Sequence, residues 1–103
     1  MGRAVKRVRT QFSVAGFTQA EVQSGLADLR AEFSQRPWFL SAEVEWDDHR
    51  RLLVIVVECE GQSTDVDGPD VRAALDEVWD CVIACLDFES DGVRFDVEST
   101  SMV

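Results

Sequence analysis

Hydrophobic and polar residues alternate in four stretches of this 103-residue chain and recur with helical spacing in two others. Alternation with a period of two is typical of a half-buried strand, whereas a spacing of three to four residues is typical of an amphipathic helix. The pattern predicts strands over residues 5–14, 40–46, 52–59 and 93–99, and helices over residues 18–36 and 71–86. The predicted order is therefore strand, helix, strand, strand, helix, strand.

The two predicted helices carry recognisable start and stop signals. Thr18 and Glu21 have the spacing of a capping box, in which each side chain satisfies a free backbone N–H at the helix start. Pro37 ends the first helix, because the residue before a proline is disfavoured in helical geometry. Pro69 is suited to the first position of the second helix. The apolar stripe of that helix is wider than one sheet face requires, which indicates either deep burial or contact with a partner.

The alternation also predicts which residues share a face of the sheet. We place the hairpin turn at residues 48–51 and pair Trp46 with Leu53, because a slip by one residue would mix apolar with acidic positions. The face toward the helices is then predicted to contain Leu40, Ala42, Val44, Trp46, Leu53, Ile55, Val57 and Cys59. The opposite face, called the open face below, receives the apolar stripe of Leu52, Val54 and Val56 beside the acidic residues Glu43, Glu45 and Asp47.

This order of elements over residues 5 to 100 resembles the ferredoxin-like superfold. The resemblance implies a single α+β domain covering residues 1–103, a two-layer sandwich with an antiparallel sheet in the strand order 4-1-3-2. It is a resemblance of fold, and the same fold carries many unrelated activities. Function must therefore be argued from particular surfaces.

The apolar stripe of the open face is the feature that the two helices leave unexplained. A central strand that is apolar on both sides is usually covered on both sides. We expect a second copy of the chain to cover it, giving a homodimer, although the stems of Arg7 and Arg9 are an alternative cover. The predicted partner-binding residues are Leu52, Val54, Val56, Glu43 and Glu45. The favoured function is a non-catalytic binding or regulatory module, with a basic protein or a small ligand as a further partner.

Two alternatives place chemistry elsewhere. His49 beside Asp47 and Asp48 has the composition of a general base, which would suit a small cofactor-free enzyme. The same residues suit a polar hairpin turn, so we assign no catalytic residue and lean against an enzyme. The acidic second strand has oxygen ligands for a divalent metal, but charges on an edge strand also prevent aggregation. We expect neither a metal nor a cofactor.

Charge and composition narrow the partners and the location. Ten Lys and Arg oppose twenty Asp and Glu, a net charge of −10, so nucleic acid is not an expected partner. No apolar run approaches the ~20 residues that a membrane helix needs, so no membrane contact is expected. Three cysteines are an odd number and argue against a disulfide framework. We expect a cytoplasmic protein.

Overall fold

Six elements follow one another in the predicted order in the computed structural model, which describes residues 6–86 and 92–103. They are β1 (Arg7–Ala15), α1 (Gln19–Ser34), β2 (Phe39–Asp47), β3 (Leu52–Glu60), α2 (Pro69–Cys85) and β4 (Arg94–Met102). The predicted start of the first strand, Val5, lies outside the described residues.

The four strands form one sheet in the order β2-β3-β1-β4, and each neighbouring pair is antiparallel. This confirms the predicted ferredoxin-like architecture. Trp46 lies opposite Leu53, as the alternation predicts. The register follows from the hydrophobic pattern, because a slip by one residue would place the acidic positions of β2 on the same face as the core residues of β3.

The two helices cover one face of this sheet and enclose the core. At the start of α1 the amide of Glu21 donates to the Thr18 hydroxyl at 3.2 Å, and the Thr18 amide donates to the Glu21 carboxylate at 2.9 Å. These bonds are the predicted capping box, and the Thr18 amide lowers the pKa of Glu21. α2 begins at Pro69, directly after its N-cap Gly68. Among residues 6–86 and 92–103, no helix has both the length and the hydrophobicity to cross a membrane.

The apolar stripes of both helices meet the sheet in a single cluster of buried residues. It consists of Phe12, Val14, Phe17, Val22, Leu26, Leu29, Phe33, Phe39, Val44, Leu53, Ile55, Val57, Ala74, Val78, Cys81, Val82 and Leu86. Some side chains of the wide apolar flank of α2 pack inside the protein, and others are exposed to solvent. Trp79 packs against Phe95 with 5.2 Å between ring centroids, whereas Ile83 is 49% exposed.

The placement of Leu40 in the core is wrong. The pairing of β2 with β3 shifts between Phe39 and Ser41, so that Leu40 is an extra residue in the ladder and is 39% exposed. Phe39 takes the core position instead and packs edge-on against Phe33, with 5.5 Å between ring centroids. A bulge reverses the parity of every residue before it, which strict alternation does not anticipate.

Candidate functional site

The residues predicted to bind a partner lie side by side on the open face. Glu43 is opposite Val56 and Glu45 is opposite Val54 in the β2–β3 register, while Leu52 is opposite Asp47. Their proximity is as predicted, and their role in contacting a partner stays a prediction. The exposure of the stripe differs from the expectation, however, because Val54 retains only 4% of its surface.

Arg50 joins acidic residues from two separate parts of the open face. Its guanidinium donates to Asp47 at 2.9 Å and to Glu98 at 2.7 Å, and Glu98 also accepts a hydrogen bond from Gln11. Arg50 precedes β3, whereas Glu98 is on β4, and β1 separates these strands in the sheet. The side chain therefore reaches across the open face; we call Asp47, Arg50, Glu98 and Gln11 the Arg50 bridge.

The bridge affects the ionisation of both carboxylates that it contains. Hydrogen bonds from Arg50 lower the pKa of Glu98, with a further contribution from Gln11. Arg50 likewise lowers the pKa of Asp47, and the two carboxylates raise the pKa of Arg50. Both acids are therefore ionised near neutral pH and hold the arginine in place.

A second polar contact covers the other end of the open face. Glu58 of β3 accepts hydrogen bonds from the Ser41 hydroxyl and the Arg9 guanidinium, each at 2.9 Å. These bonds, Ser41 first, lower the pKa of Glu58. The basic charge of Arg9 is thus compensated within the sheet. The apolar stripe lies between this cluster and the Arg50 bridge.

The predicted chemistry at His49 is not assembled. Asp47 bonds Arg50, and Asp48 accepts a long hydrogen bond of 3.4 Å from the Trp46 indole. In the part of the chain that the structure describes, the His49 side chain forms no ion pair or hydrogen bond with either acid. The same residues contain no group of three or more His, Cys, Asp or Glu side chains suited to a metal ion.

A groove that the sequence did not predict opens at the other end of the helix layer. It lies where α1 ends and α2 begins, and its volume is about 780 Å³. We call it the Trp38 groove. It is lined by Pro37, Trp38, Leu40, Cys59, Glu60, Asp70, Ala73, Ala74, Asp76 and Glu77. The bulge of β2 contributes directly to this site, because it turns Leu40 out of the core and into the groove.

Two of the four carboxylates around the groove are bound within the protein. Asp70 accepts hydrogen bonds from the amides of Gln62 and Ser63 at 2.9 and 3.2 Å, which fixes the loop after β3. Glu77 accepts one at 3.3 Å from Arg36, whose guanidinium also bonds Glu32 at 2.8 Å. These contacts determine the shape of the groove walls.

The other two carboxylates, Glu60 and Asp76, are unpaired. Among the described residues neither takes part in a hydrogen bond or an ion pair. Strand alternation directs the Glu60 side chain to the open face beside Arg7, so Asp76 is the free carboxylate of the groove. Trp38 is 49% exposed. Among residues 6–86 and 92–103, no basic residue belongs to the lining. The Trp38 groove therefore combines an aromatic and aliphatic floor with uncompensated negative charge.

The three cysteines have little nucleophilic character. All are free thiols, and burial raises the pKa of Cys59 and of Cys81 to about 11. Burial also raises the pKa of Cys85. Since the thiolate is the reactive form, Cys59 is a neutral, apolar part of the groove wall.

Comparison with known proteins gives one solved structure of similar fold. It is a crystal structure from Bordetella bronchiseptica described as "Putative antibiotic biosynthesis monooxygenase", with 17% sequence identity, a TM-score of 0.46, and coverage of 94% of this chain and 97% of that chain. No protein-family model and no curated protein matches the chain. At this level the likeness describes the path of the chain and assigns no activity.

The prediction of a non-catalytic binding or regulatory module is corrected here, whereas the homodimer through the open face stays a prediction. The similar structure is described as an enzyme and not as a binding module. Of the apolar stripe on which the homodimer was predicted, Val54 is 4% exposed, whereas Leu52 and Val56 are partly buried. The attraction between two sheets falls with the apolar area left to bury.

Proposed function

We propose that the Trp38 groove is the ligand-binding site of this protein and that it takes a small organic cation with an apolar body, as a substrate or as an effector. One observation carries the proposal: the exposed Trp38 and the unpaired carboxylate of Asp76 line the same groove, and no basic residue among those that the structure describes lines it. The negative charge of the groove favours a cation, and the apolar floor of the groove favours a ligand with an apolar body.

The size of the groove supports a small molecule as the occupant. Binding sites for such ligands usually measure about 300–1,000 Å³ and are mostly apolar with a few polar groups. A volume of about 780 Å³ lies within that range. The groove is open on one side, which suits a ligand whose charged end stays partly hydrated.

Trp38 supplies two kinds of attraction. Its indole offers a broad apolar surface, and its π face attracts a cation placed above it, by about 0.5–1 kcal/mol at an exposed site. Asp76 adds Coulombic attraction. The net charge of −10 raises the local concentration of any cation before it binds.

We also propose a cytoplasmic location for the protein, in keeping with its unpaired cysteines.

The test compares three probes of equal length, hexylamine, hexanol and hexanoate, titrated into the full chain by NMR. We expect millimolar binding of hexylamine with shifts of the Trp38 indole signal. Hexanol should bind about three- to tenfold more weakly, and hexanoate should not bind, because its charge is repelled. Trp38→Ala should weaken hexylamine binding about fivefold.

Glu45→Gln is the matched control, because Glu45 is an exposed carboxylate on the open face, away from the groove, and has no ion pair or hydrogen bond among the described residues. It should leave hexylamine binding unchanged, whereas Asp76→Asn should weaken it. Equal affinity for hexylamine and hexanol, or equal behaviour of Glu45→Gln and Asp76→Asn, would refute a cation site in the groove.

A further inference from the structure

The two edges of the sheet differ in how well they are closed to another strand. At the β2 edge, Arg30 of α1 donates a hydrogen bond to the Val44 carbonyl at 3.1 Å. β2 also carries three acidic side chains and no basic one, namely Glu43, Glu45 and Asp47. Contacts from a covering helix and charges on the strand are means by which proteins keep an edge from pairing. The β2 edge is therefore protected.

The β4 edge is open by comparison. Within residues 6–86 and 92–103, the backbone of β4 forms hydrogen bonds only with β1. The outer side of this nine-residue strand is therefore unpaired in the described structure. Residues 99–102, its second half, carry no charge. An edge of this kind is a template for another extended strand.

An apolar flank of α2 lies beside the open edge. Trp79 packs on Phe95 of β4 with 5.2 Å between ring centroids. Ile83 follows Trp79 by one helical turn and so lies on the same side of α2. It is 49% exposed, and Met102 near the other end of β4 is 45% exposed. The apolar stripe of α2, wider than one sheet face requires, thus ends at an edge where a further subunit would cover it.

A bulge in β4 determines how two copies of this strand can pair. In the β1–β4 register Phe12 is opposite Val97 and Gln11 is opposite Ser99, so Glu98 is an extra residue. Glu98 and Ser99 therefore share the open face, and alternation between the faces resumes on either side of them. Residues that lie opposite each other in an antiparallel pair must point to the same face. A symmetric pair that spans the bulge meets this condition in one register, centred between residues 98 and 99.

This register suits two identical strands. Its pairs, each formed twice, are Phe95 with Met102, Asp96 with Ser101, Val97 with Thr100, and Glu98 with Ser99. Every acidic residue of the strand is opposite a serine, so no charge lies opposite one of the same sign. Phe95 and Met102 meet on the side of the helices, next to the flank of α2.

We infer that a second copy of this chain pairs with β4, edge to edge, and joins the two sheets into one of eight strands. The partner for the edge is a second copy because one register matches the strand with itself. The Ile83 flanks of the two α2 helices then face each other across the twofold axis. The protected β2 edges end the assembly at two subunits, since growth of the sheet would need a second free edge. This dimer is distinct from the one predicted on the open face, which it leaves uncovered.

Sedimentation velocity of the full chain between about 10 µM and about 1 mM tests the pairing, since an interface of one strand pair and a helix flank is at the weak end of specific contacts. We expect the mass to rise from that of one chain to that of two. Ile83→Glu should weaken the dimer by more than about tenfold, because it places a charge in the apolar contact. Circular dichroism should show an unchanged fold, since Ile83 is exposed.

Charge variants at Ser101 test the register. Ser101 faces Asp96 of the second copy, so Ser101→Lys should tighten the dimer about two- to tenfold, and Ser101→Asp should weaken it by a similar factor. The aspartate does not threaten the monomer, because Ser101 is opposite Arg9 of its own β1. Ser24→Lys and Ser24→Asp, on the exposed side of α1, are the matched controls for net charge.

Three results would overturn the edge-to-edge dimer. They are a mass of one chain at about 1 mM, a dimer that Ile83→Glu leaves intact, and changes at Ser101 that only equal those of the same substitutions at Ser24. The first excludes association through β4, and the second excludes the α2 flank from the contact. The third excludes the register.

Discussion

Arg50 connects the hairpin between β2 and β3 with the last strand of the sheet. At the scale of the single residue, it decides what the open face presents to solvent. Its bonds to Asp47 and Glu98 cross the open face, on which Val54 and Ser13 are both buried. The stem of an arginine held in this way is apolar and can pack on neighbouring hydrophobic side chains while its guanidinium stays hydrated.

Arg50→Gln should destabilise the fold in a pH-dependent manner. Arg50 lowers the pKa of Glu98 and of Asp47 in the folded state. A lowered carboxyl pKa stabilises the protein above the unfolded value of about 4 and loses that contribution as the pH falls through the folded value. Urea denaturation should therefore give a lower midpoint for the variant at pH ~7, and the difference should shrink toward pH ~3.

The matched control for this prediction is Arg51→Gln, which removes an exposed arginine of the same turn that forms no ion pair in the described structure. Its midpoint should follow that of the unmodified protein at both pH values. A difference between the Arg50 variant and the unmodified protein that is independent of pH would contradict the role of the bridge.

Gly25 is fixed by a close approach between the helices. A Cβ atom here would lie 2.5 Å from the Leu86 side chain and 2.7 Å from the Cys85 carbonyl oxygen. Alanine gains about 1 kcal/mol in helix propensity, but a backbone oxygen cannot move aside as a side chain can. We expect Gly25→Ala to lower the free energy of unfolding by about 1–2 kcal/mol in urea denaturation. Gln23→Ala, on the exposed side of α1, should change it by less than about 0.5 kcal/mol.

At the scale of the element, the bulge in β2 links the fold to the candidate site. It places Phe39 in the core, 9% exposed, and turns Leu40 outward into the Trp38 groove. A regular strand would have buried Leu40 and left the groove without part of its floor. One extra residue in the ladder therefore provides an apolar surface for a ligand.

The bulge predicts opposite consequences for two adjacent residues. Phe39→Ala should lower the free energy of unfolding by about 3–4 kcal/mol, because it leaves a cavity among buried residues. Leu40→Ala should lower it by less than about 1 kcal/mol, because the side chain is 39% exposed. Urea denaturation of both variants measures the two values. The reverse order of effects would mean that β2 pairs without the bulge.

Much of this architecture could be predicted from the sequence because alternation and helical spacing report the local environment of each residue. The Trp46–Leu53 pairing and the capping box at Thr18 are local patterns, and both predictions are confirmed. The Trp38 groove could not be predicted in this way. Its lining comes from three parts of the chain, and the bulge that exposes Leu40 leaves no signature in the alternation.

At the scale of the whole molecule, the packing of helices on the sheet determines the reactivity of all three thiols. Cys81 is fully buried, Cys59 and Cys85 are half-buried, and burial raises the pKa of each. The protection of the three thiols from reaction therefore depends on the integrity of the core and not on a local partner.

Thiol labelling should consequently report global unfolding. In the native protein at pH ~8, a thiol reagent such as Ellman's reagent should react far more slowly than with a free thiol of pKa about 8.5, because the thiolate fraction of Cys59 and Cys81 is small. In concentrated urea all three should react at the rate of model thiols. Rapid labelling of the native protein would contradict the burial of these side chains.

The strand order also bears on how the protein emerges from the ribosome. β1 lies between β3 and β4, so its second neighbour is the last strand to be made. At about 5–20 residues per second, the stretch from the end of β3 to the end of β4 takes roughly 2–8 seconds to synthesise. Throughout that interval one edge of β1 has no strand to pair with. A nascent chain of this protein is therefore exposed to intermolecular strand pairing until β4 leaves the exit tunnel.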